Sequence, residues 1–109
     1  MNGISKAICA AAGALLFALV PVARADNPGE TVFKQKCTAC HAADGSGNNF
    51  MGKKFNIPDL RSPAAQKLTD AELTDIITKG KNKMPAYDKT LKPEEIKSLV
   101  TYIRSIAKK

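Results

Sequence analysis

Tryptophan is absent from this chain, aromatic residues make up 6% of it, and a single histidine, His41, stands among 109 residues. No large aromatic core can therefore form, and no site can draw on several imidazoles. Cysteine is scarce as well. Of the three, Cys9 lies in an N-terminal apolar stretch, which leaves Cys37 and Cys40 for the rest of the chain. The longest apolar run, 8–22, is 15 residues long and is interrupted by Pro21, short of the ~20 needed to span a bilayer. Repeats, low-complexity tracts and sustained period-two alternation are missing, so neither a repeat array nor a sheet is indicated. Charge is lopsided, with 17 Lys and Arg against 10 Asp and Glu, for a formal +7.

What is present begins with a leader. Lys6, the apolar run and the ending Ala23-Arg24-Ala25 give a cationic start, a short greasy centre and a small-x-small close. That is the form of a secretory signal peptide cleaved after Ala25. Residues 1–25 are the expected leader and 26–109 the expected mature domain. Cleavage removes two cations and no acid, so 84 residues with a formal charge of +5 remain. A domain that small has a poor surface-to-volume ratio and calls for a staple such as a disulfide, a metal or a cofactor.

The mature part reads as helices joined by polar loops. Asn27-Pro28 with Glu30 forms a helix start with a capping box, and Val32, Phe33 and Cys37 continue it to about Cys40. Residues 42–49 are small and polar and read as loop. Thr69 with Glu72 caps a second helix, whose stripe is Leu73, Ile76 and Ile77 and whose stop is Gly80. After a loop over 81–88, a last helix starts at Pro93 with Glu94 and Glu95 in its first turn. Its stripe is Ile96, Leu99, Val100, Ile103 and Ile106. The expected fold class is all-α.

Cys37-Thr38-Ala39-Cys40-His41 carries the chemistry. Two thiols two residues apart, followed at once by histidine, form the attachment pattern of c-type haem. One helical turn lets both sulfurs bond one porphyrin while the adjacent imidazole reaches its iron. A covalently held haem would also supply the missing apolar centre. Zinc would need a fourth ligand that the two cysteines and one histidine do not provide. A redox dithiol would need strand and helix flanks, and a Cys37–Cys40 disulfide would close a very short loop. Secretion favours haem, since c-type haem is attached outside the bacterial cytoplasm.

With one histidine, the second axial position falls to methionine or stays open. Met84 lies in an interhelical loop stiffened by Pro85, 43 residues after His41, whereas Met51 is only ten residues away in a glycine-containing loop. His/Met ligation makes an electron-transfer site with a raised potential. An open iron with a labile Met84 is the alternative.

These residues resemble the class I cytochromes c, in particular the small monohaem bacterial and photosynthetic-type members. Gly29 and Phe33, eight and four residues before Cys37, match the family's first-helix glycine and aromatic. Leu99 and Tyr102 match the Leu-x-x-aromatic pair of its last helix, and Pro58-Asp59-Leu60 is similar to its Pro-Asn-Leu segment. The resemblance implies three to five short helices round one haem, with the first and last helices crossing. It also implies that the Pro58 carbonyl accepts a hydrogen bond from His41. The residues from His41 to Pro58 do not fix a subfamily.

The resulting expectation is a periplasmic, monomeric one-electron carrier rather than an enzyme, with Cys37, Cys40, His41, Met84 and Pro58 as its haem site. Lys79, Lys81 and Lys83 lead into Met84, Lys89 and Lys92 follow it, and Lys53-Lys54 form another pair. Such a field steers acidic redox proteins. Nucleic acid is not an expected partner, since no recognition motif accompanies the charge, and no membrane insertion is expected after cleavage. Two alternatives are a peroxidase-like haem enzyme or gas sensor, and a membrane-anchored haem subunit of a respiratory complex.

Overall fold

The protein is described here by a computed structural model that covers residues 27–109; the expected leader, 1–25, and its cleavage site lie outside the described residues. Six helical segments follow one another: α1 Pro28–Lys36, α2 Thr38–His41, α3 Phe50–Lys54, α4 Pro63–Gln66, α5 Asp70–Lys79 and α6 Pro93–Ser105. No strand occurs among the described residues. The fold is all-α, as the periodicity predicts. The six segments exceed the three to five that the resemblance implies by one, and three of them, α2, α3 and α4, are single turns of four or five residues.

The helix ends follow local chemistry. Asn27 accepts from the Gly29 N–H at 3.1 Å and Pro28 takes the first position of α1. The capping box expected from Glu30 is not made. The Glu30 carboxylate pairs instead with Lys34 one turn on, at 3.0 Å. In α5 the box is complete: the Glu72 N–H donates to Thr69 Oγ1 at 3.1 Å and the Thr69 N–H donates to Glu72 at 2.8 Å. In α6 the Lys92 N–H donates to Glu95 at 3.0 Å. Two starts that the periodicity does not announce are capped by Asn49, which accepts from the Gly52 N–H at 2.7 Å, and by Ser62, which accepts from the Ala65 N–H at 3.3 Å.

The first and last helices cross at backbone contact. A Cβ on Gly29 would fall 2.0 Å from the Ser98 carbonyl oxygen, so only glycine admits this approach. Phe33 and Leu99, the most deeply buried side chains, fill the crossing, and the Phe33 and Tyr102 rings lie 5.0 Å apart in a tilted pair. Leu73 and Ile77 of α5 join Ile96, Val100 and Ile103 of α6 in the same core. Ile76 and Ile106, expected in the buried stripes, are only half-buried. Ile76 borders a cavity, and Ile106 lies past the end of α6 against Gly45.

Arg104 ties the middle of the chain to α6. Its guanidinium donates to the Gln66 and Leu68 carbonyls and to Asp70, while Gln66 donates to the Leu60 and Ile103 carbonyls at 2.8 and 2.9 Å. The loose end of α4 thereby has its carbonyls satisfied without a long helix. A second clasp holds the Pro58 segment. Arg61 and Lys108 both pair with Asp59, at 3.0 and 3.4 Å. The Arg61 guanidinium holds the Asp59 carboxyl down from 3.8 to about 2. A depressed carboxyl stabilises the fold above its unfolded pKa and ceases to do so as pH falls through the folded one. With the side chain a quarter exposed, solvent screening reduces the contribution to about 1 kcal/mol. Asp59→Asn is expected to unfold more easily than wild type in urea at pH 6, with most of that gap gone at pH 2. A pH-independent gap would contradict the assignment.

Candidate cofactor site

Cys37 sits at a break in the first helix. Its N–H still donates to the Phe33 carbonyl at 2.9 Å, but its φ of −113° ends α1, and the single turn of α2 follows. The Cys40 and His41 N–H groups both return to the Cys37 carbonyl, at 3.3 and 2.9 Å. The two thiols and the imidazole thus ride on one compact turn, all half-buried. Asn49 braces that turn from outside. Its amide donates to the Thr38 and Ala39 carbonyls at 3.0 and 3.2 Å while its oxygen caps α3.

The turn opens on a cavity of about 460 Å³, within the ~300–1,000 Å³ of cofactor sites. Cys37, Cys40, His41, Pro58 and Met84, the five site residues predicted from sequence, all line it. The rest of the wall is largely apolar, with Phe33, Leu68, Leu73, Ile77, Leu99 and Ile103 prominent. Met51 is not part of it. Phe55, Asn56 and Ile57 bring the chain round to Pro58 through a left-handed turn at Asn56, φ 52°, which asparagine tolerates better than most residues.

Met84 is placed by three constraints. The Lys81 and Met84 backbones exchange hydrogen bonds at 3.1 and 2.9 Å. Gly80, at φ 76°, lies so close under the loop that a Cβ would meet the Met84 oxygen at 2.6 Å and the Ala86 nitrogen at 2.8 Å. Tyr87 then leaves the loop with its N–H on the Ile77 carbonyl at 3.1 Å and its phenol donating to the Lys36 carbonyl at 3.2 Å. That last bond crosses 51 residues of sequence, and no spacing rule could have found it.

Electrostatics separates the possible chemistries. Burial, and next the neighbouring Cys40, push the Cys37 thiol up to about 11. A reactive dithiol needs the opposite, a thiolate favoured by nearby positive charge. Cys37 and Cys40 are free of a disulfide. Among the described residues no three His, Cys, Asp or Glu side chains gather to hold a metal, so the run does not form a zinc cage. Burial lowers the His41 pKa, which keeps the imidazole neutral and able to ligate.

The expected hydrogen bond from His41 to the Pro58 carbonyl is not made: Nδ1 is buried and has no partner. The ring torsion of histidine is broad, so its orientation depends on what engages the two nitrogens. A half-buried imidazole with a buried, orphaned nitrogen, two thiols one turn apart and a thioether on the same apolar cavity together fit a haem attached through Cys37 and Cys40. His41 and Met84 are the available iron donors.

Three lysines, Lys36, Lys81 and Lys83, line the cavity and no acid does. Lys79, expected in the same field, is paired with Asp75 at 2.6 Å. Lys53, Lys54, Lys89 and Lys92 are exposed.

Known proteins place this geometry. The family model described as cytochrome c oxidase, cbb3-type, subunit III matches residues 24–103. Cytochrome c6 of Porphyra purpurea is 38% identical over 84 residues, covering 77% of this chain and 73% of that protein. The cbb3-type cytochrome c oxidase subunit FixP of Bradyrhizobium diazoefficiens is 35% identical over 80 residues, covering 72% of this chain and 26% of that protein. Among solved structures, the c-type cytochrome KustC0563 superposes with a TM-score of 0.68 at 28% identity, over 73% of this chain and 98% of that one.

Proposed function

This chain belongs to the small monohaem class I cytochromes c and carries a covalently bound c-type haem, and from that premise we propose that it is a periplasmic one-electron carrier with His41 and Met84 as axial ligands. One observation carries the reading. The Cys37-x-x-Cys40-His41 turn and the separately clamped Met84 loop meet on one apolar cavity. When bound, the haem supplies a reversible one-electron change of its iron. The protein's part is to keep that change simple. Cys37 and Cys40 hold the group without exchange, and His41 stays neutral in its buried seat. Met84 offers a soft sulfur, which favours the reduced state and raises the potential. The Pro58 carbonyl is the acceptor we assign to the orphaned Nδ1–H, reached by rotation of the ring. Phe33, Leu99 and Ile103 exclude water from the wall. His41 and Met84 together would leave the iron no position for a substrate, so the assigned role is transfer rather than catalysis.

Residues 1–25 act in this reading as a removed leader and 26–109 as a monomeric mature domain. Among the described residues no helix is long and apolar enough to cross a membrane. Lys36, Lys81 and Lys83 at the cavity, with no acid among its lining residues, suit redox partners with an acidic docking face. Stopped-flow reduction by an acidic one-electron donor protein is expected to slow about tenfold or more between 10 and 200 mM salt. A rate indifferent to salt would overturn the docking assignment. A second reading, a haem subunit of a respiratory complex, is favoured by the family model and by FixP. A mature N-terminus at Asp26 would exclude its anchored form.

A further inference from the structure

We propose that Tyr87 is a positioning residue: its phenol latches the Met84 loop to the end of the first helix and so decides whether the iron's second face stays closed to outside ligands. This rests on the assignment of Met84 as a ligand.

The Met84 loop is held at its entry and again at Tyr87, but not between them. Upstream of Met84, Gly80 and the Lys81–Met84 backbone pair fix the entry. Both contacts lie within the loop or at the end of α5, so they shape the segment without fastening it across the cavity. Downstream, Pro85 and Ala86 are exposed and have no such pairing. The next anchor is Tyr87. Its ring packs on the core and lines the cavity, and its backbone joins Ile77 of α5. Its hydroxyl donates at 3.2 Å to the carbonyl of Lys36, the last residue of α1 and the one before Cys37.

That carbonyl belongs to the group a helix end leaves without an intrahelical partner. The phenol satisfies it and at the same point joins the two halves of the site, the Cys37-x-x-Cys40-His41 turn and the Met84 loop. The other side-chain bonds of the described residues that span ten or more positions, the hydrogen bonds of Asn49, Gln66 and Arg104 and the ion pairs Arg61–Asp44 and Lys108–Asp59, do not touch the Met84 loop. Losing the hydroxyl alone leaves the ring, its packing and both upstream constraints in place. Met84 then stays near its position but is released more often, and an outside ligand gains by the fraction of time the loop is open.

The test uses the haem-loaded protein as Tyr87→Phe, with Val100→Ala as a control. Val100 is buried in α6 and does not line the cavity, so its truncation weakens the fold without touching the latch. Imidazole binding to the oxidised form and carbon monoxide binding to the reduced form are read by absorption, alongside the guanidinium midpoint. The loss of one hydrogen bond is expected to tighten imidazole binding about three- to tenfold in Tyr87→Phe. Val100→Ala is expected to bind as wild type despite a lower midpoint. Wild-type affinity in Tyr87→Phe, or an equal gain in Val100→Ala, would overturn the latch. If Met84→Ala opens the iron while Tyr87→Phe does not, the latch alone fails. If Met84→Ala leaves ligand binding, spectrum and reduction potential all unchanged, the ligand assignment fails and the latch with it.

Discussion

Met84→Ala is expected to bind carbon monoxide stoichiometrically in its reduced form and to lose on the order of 100 mV of reduction potential, a fraction of the ~0.8 V that axial ligands span. The chain has one histidine, spent on the cysteine turn, and Met51, the other methionine of the described residues, is off the cavity. Removing the Met84 thioether therefore leaves no neutral soft donor on that wall. Lys81 and Lys83 are the nearest replacements in sequence, and both line the cavity. A lysine capturing the site would still lower the potential, because an amine favours the oxidised state more than a thioether does. Carbon monoxide then separates the outcomes: uptake reports an open iron, and refusal with a lowered potential reports lysine capture. A potential and spectrum equal to wild type would remove Met84 from the site.

Gly29→Ala is expected to destabilise the protein by about 2–3 kcal/mol, although alanine is the better helix former by about 1 kcal/mol. The added methyl would sit 2.0 Å from the Ser98 oxygen and 2.5 Å from its carbonyl carbon. Both are backbone atoms of α6, so no side chain can swing aside and the helices must separate. Overpacking of this kind costs ~1–3 kcal/mol or more, and the crossing also positions Phe33 and Leu99 on the cavity wall. Guanidinium unfolding of the haem-loaded protein measures the loss. A midpoint equal to or above wild type would mean that α1 and α6 are not packed as described.

These two residues show how far the sequence could be read. Met84 was legible because the Cys37-x-x-Cys40-His41 run creates a demand for a second ligand and few residues can meet it. Gly29 was legible only through the family resemblance, which places a first-helix glycine eight residues before Cys37. The caps of α1, α5 and α6 obeyed short-range rules, apart from Glu30, which found Lys34 instead of the helix end. What stayed hidden depends on contacts between residues far apart. Asn49 braces the cysteine turn from outside, Arg104 gathers the end of α4, and Tyr87 reaches the Lys36 carbonyl. None leaves a periodic trace. The helices α3 and α4 are one turn each, below the length at which a 3.6-residue period can be seen.

The most direct measurement is the absorption spectrum of the matured wild-type protein, reduced, before and after carbon monoxide. The expected result is a c-type spectrum that carbon monoxide leaves unchanged, because Met84 holds the iron, and a haem that stays with the protein in acid acetone, because it is bonded to Cys37 and Cys40. A haem that extracts into the acetone would contradict the covalent site. A spectrum shifted by carbon monoxide would contradict the closed, His41- and Met84-ligated carrier.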